Sequence, residues 1–204
     1  MRCLNALRAV VLTGVTLAVG SAGLSAIAQT PPLTKRDPGH AVAERKTELD
    51  EQFRRLKAAK GAHAAAPIVA NIWKLWMRSG RPGVDRLMQE AVATMQLREY
   101  DHALIQFNQI IEIAPEYAEG WNKRATLLYL MDAHDRSLAD IMETLKREPR
   151  HFGALAGRGM IHVARKNWQK ALEAYRAALA VNPFIQAGRD LIPELEKMVE
   201  EQEI

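Results

Sequence analysis

From Val84 to Ile185 apolar residues recur at three- and four-residue spacing, the period of helices that bury one face. Short turns interrupt the pattern at Arg98-Glu99-Tyr100, Asp132-Ala133-His134 and Lys166-Asn167-Trp168. Prolines close each pair of stripes at Pro82, Pro115, Pro149 and Pro183, with intervals of 33, 34 and 34 residues. Proline lacks an N–H and drives its predecessor out of the helical region, so each one ends a helix. A fixed period of this size predicts an array in which each period is one packing unit. Each unit reads as a hairpin of a helix A and a helix B.

The units superpose residue by residue. Leu87, Trp121 and Leu155 share one position, and Ala91, Ala125 and Gly159 stand four later. In helix B, Ala103, Ser137 and Ala171 are small, and Phe107, Ile141 and Tyr175 follow at one larger position. Small residues suit places where two helices of a hairpin approach closely, and large ones fill the space beside them. These residues resemble the tetratricopeptide repeat family, which has a large apolar residue early in helix A and a small one four later. A small residue and an aromatic follow in helix B, and proline ends the unit. The resemblance covers 84–185, about half the chain. It implies an all-α fold, a right-handed α-solenoid of helical hairpins.

The resemblance also implies a concave groove lined by the helices A. Carried over by register, its partner-binding residues are Met88, Gln89 and Val92 from the first unit. Asn122, Lys123, Thr126 and Tyr129 come from the second, and Met160 from the third. Asn122 and Lys123 supply a polar anchor on a mostly apolar surface whose methionines adapt to irregular ligands. Some members clamp a peptide's terminal carboxylate. Here Val92 stands in place of an asparagine of that clamp, and Gly153 and Gly157 in place of its basic residues. The expected ligand is therefore a protein or peptide segment held by apolar contacts. Arg124 and Arg158 precede the small residue of helix A, and Asp140 follows Ser137 by three. The register predicts a structural ion pair of Arg124 with Asp140, with Arg158 able to share the carboxylate and Glu90 approaching Arg124 from the other side.

Flanking segments complete the array. Within 41–83, Phe53 and Leu56 mark one helix face and Ile68, Ile72, Trp73 and Trp76 the next, a degenerate helix pair. The two tryptophans read as its seam against the first full repeat. Residues 186–204 form a capping helix whose Leu191, Leu195 and Met198 cover the last repeat, as solenoid ends require. Pro193 either kinks this helix or delays its start.

Residues 1–28 read as an export signal. Arg2 and Arg8 precede an apolar stretch, and Ala26-Ile27-Ala28 has the small-x-small form that a signal peptidase reads. The expected destination is the periplasm. Membrane association is expected only if this segment stays uncleaved as an anchor. Residues 29–40, with Pro31-Pro32, Pro38 and Gly39, read as a flexible linker. Cleavage removes the sole cysteine, Cys3, and with it any disulfide or thiolate metal site.

The formal charge of +4 falls to +2 without Arg2 and Arg8. The remaining Lys and Arg are dispersed among acids, which argues against nucleic acid as a partner. No nucleophile elbow, phosphate-cradling loop or helical zinc pair is present. The six histidines are scattered and read as solvated turn residues. No catalytic site, cofactor, metal or small-molecule substrate is therefore expected, and the oligomeric state stays open. The expected function is a non-catalytic interaction scaffold. The alternatives are a structural piece of an envelope assembly that uses its convex face or ends, and an enzyme with an unrecognised site.

Overall fold

The structure, a computed structural model, describes the backbone of residues 38–202. The export segment 1–28 and all but the end of the expected linker lie outside the described residues. Among the described residues every element is a helix: α1 (Pro38–Ala58), α2 (Ala62–Trp76), α3 (Pro82–Gln96), α4 (Tyr100–Ile113) and α5 (Ala118–Leu130). Then follow α6 (His134–Arg147), α7 (Phe152–Ala164), α8 (Trp168–Val181) and α9 (Gln186–Gln202). Helix α1 begins at Pro38, inside the stretch expected to be linker, where proline opens a helix without losing a needed donor.

The repeats are the hairpins α3–α4, α5–α6 and α7–α8, each packed antiparallel and stacked on the next. Their A–B turns share one solution. Arg98, Asp132 and Lys166, each 34 residues from the next, adopt left-handed backbone with φ of 65°, 56° and 56°. In each turn the next residue's N–H reaches back five residues, as from Ala133 to Leu128 (2.8 Å) and from Asn167 to His162 (2.8 Å). The left-handed residue itself donates three residues back. This is the Schellman closure of a helix end, made without glycine.

Inside each hairpin the expected small-to-large matching holds. A Cβ built on Gly159 would stand 2.7 Å from the Tyr175 ring, so only glycine lets α7 and α8 approach this far. Ser137 donates its hydroxyl to the Ala125 carbonyl (2.7 Å), tying α6 to α5 where the other repeats carry alanine. Phe107 and Tyr175 are buried in their hairpins. The guanidinium groups of Arg124 and Arg147 lie 5.1 and 4.7 Å from the Trp121 ring centre, and the indole N–H donates to the Pro115 carbonyl.

Helix α9 runs unbroken through Pro193 and packs on α8. Leu195 is buried there, with Leu191 and Val199 beside it. Met198 does not join them: it is exposed, and Val199 takes the covering role.

The N-terminal pair α1–α2 buries Leu56, Ile68, Ile72 and Trp76 as its pattern predicts. Its covering partner differs from the expectation. Trp73 and Trp76 meet the third repeat, not the first. Trp73 sits edge-on to Phe152 (5.5 Å) and to His151 (5.6 Å), and Trp76 stacks on His151 at 3.9 Å. Gly153 makes this possible, since a Cβ there would fall 2.5 Å from the Trp73 ring. Arg150 strengthens the closure, bonding Asp50 of α1 at 2.7 Å and lying 4.4 Å over the Phe53 ring.

Candidate partner-binding groove

The helices A, α3, α5 and α7, lie side by side, with α3 touching α5 and α5 touching α7. The groove residues expected from the register project from these three helices, but they divide into two sets. Gln89 is exposed, and Val92, Lys123, Thr126, Tyr129 and Met160 are half-buried at the surface. Met88 and Asn122 are buried. Met88 belongs to the first repeat's core with Val84, Phe107, Tyr117 and Leu127. Tyr117 and Leu127 come from the next unit and close over it, so Met88 cannot touch a partner.

Asn122 and Lys123 have a different task from the expected ligand anchor. Both serve Glu119, which is 1% exposed at the start of α5. Asn122 Nδ2 donates to Glu119 Oε1 at 3.1 Å, and Lys123 Nζ lies 3.3 Å from the same oxygen. His151, wholly buried, stands 2.8 Å from Glu119 Oε2 through Nε2. Its Nδ1 accepts the Ala154 N–H at 3.0 Å, which assigns the Nε2–H tautomer as donor to the carboxylate. Burial alone would push the Glu119 carboxyl up, but Lys123, His151 and Asn122 together outweigh burial and hold it below the usual range. Trp76 stacks on His151, and Lys123 lies 5.5 Å over the Trp73 ring. The polar cluster therefore anchors α2 to the inner face.

The expectation of solvated histidines fails at His151 for this reason. Glu119, Asn122 and Lys123 are at i, i+3 and i+4 of one helix, a spacing visible in the sequence. His151 is 32 residues further on, and only the stacking of repeats brings it in.

The remaining inner face is a strip of half-buried apolar side chains. Val92 and Met95 lean on the first repeat's core and Tyr129 on the second's. Met160 and Val163 lean on the cluster around Tyr175. Tyr129 stacks on His134 at 5.5 Å, and the Thr126 hydroxyl donates to the Asn122 carbonyl at 3.0 Å.

The expected ion pair is formed. Arg124 holds Asp140 through Nε (2.7 Å) and Nη2 (2.8 Å), a two-point grip across the α5–α6 hairpin. Its Nη1 donates to Asn108 Oδ1 at 2.8 Å, linking the pair to α4 of the preceding repeat. Arg158 takes no part in it: the hydrogen bonds to the Asp140 carboxylate come from Arg124. Glu90 pairs with Arg86 on its own helix instead of approaching Arg124. Among the described residues no three His, Cys, Asp or Glu side chains converge on a metal-binding position.

Known proteins share the helical-repeat fold. The tetratricopeptide repeat family profile matches residues 152–184, the third hairpin. A TPR repeat-containing protein of Rhizobium etli is 33% identical over 153 residues, 75% of each chain. The Sgt2 TPR domain from Aspergillus fumigatus superposes with a TM-score of 0.56 at 22% identity, covering 60% of this chain and 83% of that one. The first TPR of Spaghetti, solved with the HSP90 peptide SRMEEVD, gives 0.55 at 14% identity, covering 57% and 93%. The solved structures share the fold, and the Rhizobium relative extends the likeness over three quarters of both chains. The chain belongs to the tetratricopeptide repeat family.

Proposed function

We propose that this protein is a non-catalytic scaffold, exported to the periplasm, that binds a segment of a partner protein on the inner face of its helices A. The strip from Val92 to Val163 carries this reading: three successive helices each present apolar side chains that nothing among the described residues fully covers. Buried charge in the same face is neutralised by close partners, as at Glu119, so the face offers contact area and no reactive group. The Spaghetti TPR, of the same fold, was solved with a peptide.

A second reading, an envelope assembly piece that uses the outer face, rests on one observation. Ile105 and Ile113 on α4 and Met142 on α6 are 56%, 53% and 68% exposed. These are helix B positions, away from the inner face.

A photo-crosslinking amino acid at Gln89, and separately at Met142, tests the two in intact cells of the source bacterium. The inner-face reading expects a partner adduct from position 89 and little from 142. Adducts from 142 alone would transfer the role to the outer helices. Mass spectrometry of the captured chain also reads its first residue, expected to be Gln29 after export. A chain starting at Met1 would overturn cleavage.

A further inference from the structure

The inner face holds few groups able to serve a ligand backbone. The Asn122 amide and the Lys123 ammonium are directed to Glu119, and the Thr126 hydroxyl to the Asn122 carbonyl. Besides the exposed Gln89 amide and the Tyr129 hydroxyl, what remains is apolar: Val92, Met95, the Tyr129 ring, Met160 and Val163, with Thr126 among them. An extended segment laid on such a strip buries an N–H and a C=O at each residue, and a buried group without a partner is strongly disfavoured. A helix satisfies its backbone internally and meets the surface with side chains alone.

One turn before Thr126 on α5, Lys123 lies over the Trp73 ring of α2, so the strip begins next to a helix already packed on these repeats. Helix α2 is amphipathic and lies against the start of α7 through Trp73 and Trp76. Neighbouring packed helices are spaced by about 10 Å. Seven residues of an α-helix advance about 10.5 Å, so apolar residues at i and i+7 match the step from one helix A to the next.

We infer that the segment recognised is an amphipathic helix. It docks an apolar stripe, with residues at i, i+3 or i+4 and i+7, on the strip beside α2. The inference rests on the inner-face reading above and specifies its ligand.

Two displayed peptide libraries, selected on the full chain, test it. One randomises the face of a cross-linked helix, and the other randomises a linear segment interrupted by prolines. Binders are expected from the helical library, with apolar residues at the stated spacing. Their affinity should fall about tenfold or more on Tyr129→Ala, as for an aromatic contact at the centre of an interface. Thr126→Arg, which sets a charge in the strip without removing packed volume, should act alike and serves if Tyr129→Ala does not fold. Binders only from the linear library, weakened by either substitution, would overturn the helix and keep the inner face. Binders indifferent to both substitutions, or none from either library, would overturn both.

Discussion

Arg124 grips Asp140 with two hydrogen bonds, and Asp140 is 4% exposed. Removing the carboxylate strands a largely enclosed guanidinium, whose remaining bond is to Asn108. Asp140→Ala should therefore destabilise the fold by about 3 kcal/mol, the lower end for a broken buried pair. In a chain of this size that lowers the thermal midpoint by about 6–12 °C. An unchanged melt would mean that the pair contributes nothing. Glu119 calls for a different measurement. Its carboxyl lies below its ordinary range in the folded chain because Lys123, His151 and Asn122 outweigh burial. A carboxylate of this kind stabilises the fold above its unfolded pKa, about 4.3 for Glu. That stabilisation is lost as pH falls through the folded value. Glu119→Gln should thus be clearly less stable than the wild type near neutrality, and the gap should narrow as pH is lowered from about 5 to 3. A gap that stays constant over that range would show that the Glu119 charge does not support the fold. The sequence made the first pair legible and the second only in part. Arg124 and Asp140 share one hairpin, so the repeat register alone sets them face to face. Glu119 meets His151 across a repeat boundary, and Trp76, distant in sequence, closes the site.

At the scale of elements the period was informative because every hairpin solves the same packing problem. The positions of the A–B turns follow from where the apolar stripes break. Their left-handed residues do not, since of Arg98, Asp132 and Lys166 only Asp132 is of a type enriched at positive φ, and the Schellman bonds impose it. The helix pair α1–α2 marks the opposite limit. An apolar face on α2 shows that something must cover it and leaves open what does. The nearest repeat in sequence was the natural expectation, but Gly153 leaves room at the third repeat for the Trp73 ring. The same closure explains why the anticipated groove is shorter than the register implies. Asn122 and Lys123 of its polar end serve Glu119 and the packing of α2, which leaves Gln89 and the half-buried apolar strip at the surface.

At the scale of the whole molecule, α2 changes how the array holds together. In a linear solenoid each repeat contacts only its neighbours, so stability is a sum of local terms and the ends fray independently. Here contacts bridge the array: Asp50 bonds Arg150 across 100 residues, and Trp73 and Trp76 pack on His151 and Phe152. Loss of either end should therefore weaken the other. Trp76→Ala tests this, because it removes the ring stacked on His151 and leaves the three repeats chemically unchanged. Large aromatic deletions in cores destabilise by about 3–5 kcal/mol. If the contact couples distant parts, amide exchange in the variant should quicken in α2 and equally in α7. Helix α4, which takes no part in the closure, should change less. Faster exchange confined to α1 and α2 would mean that the hairpin is an appendage and that the repeats fold as an ordinary linear array. Quickening in α2 and α7 together would mark α1–α2 as a brace that fixes the spacing of the helices A, and with it the width of the apolar strip.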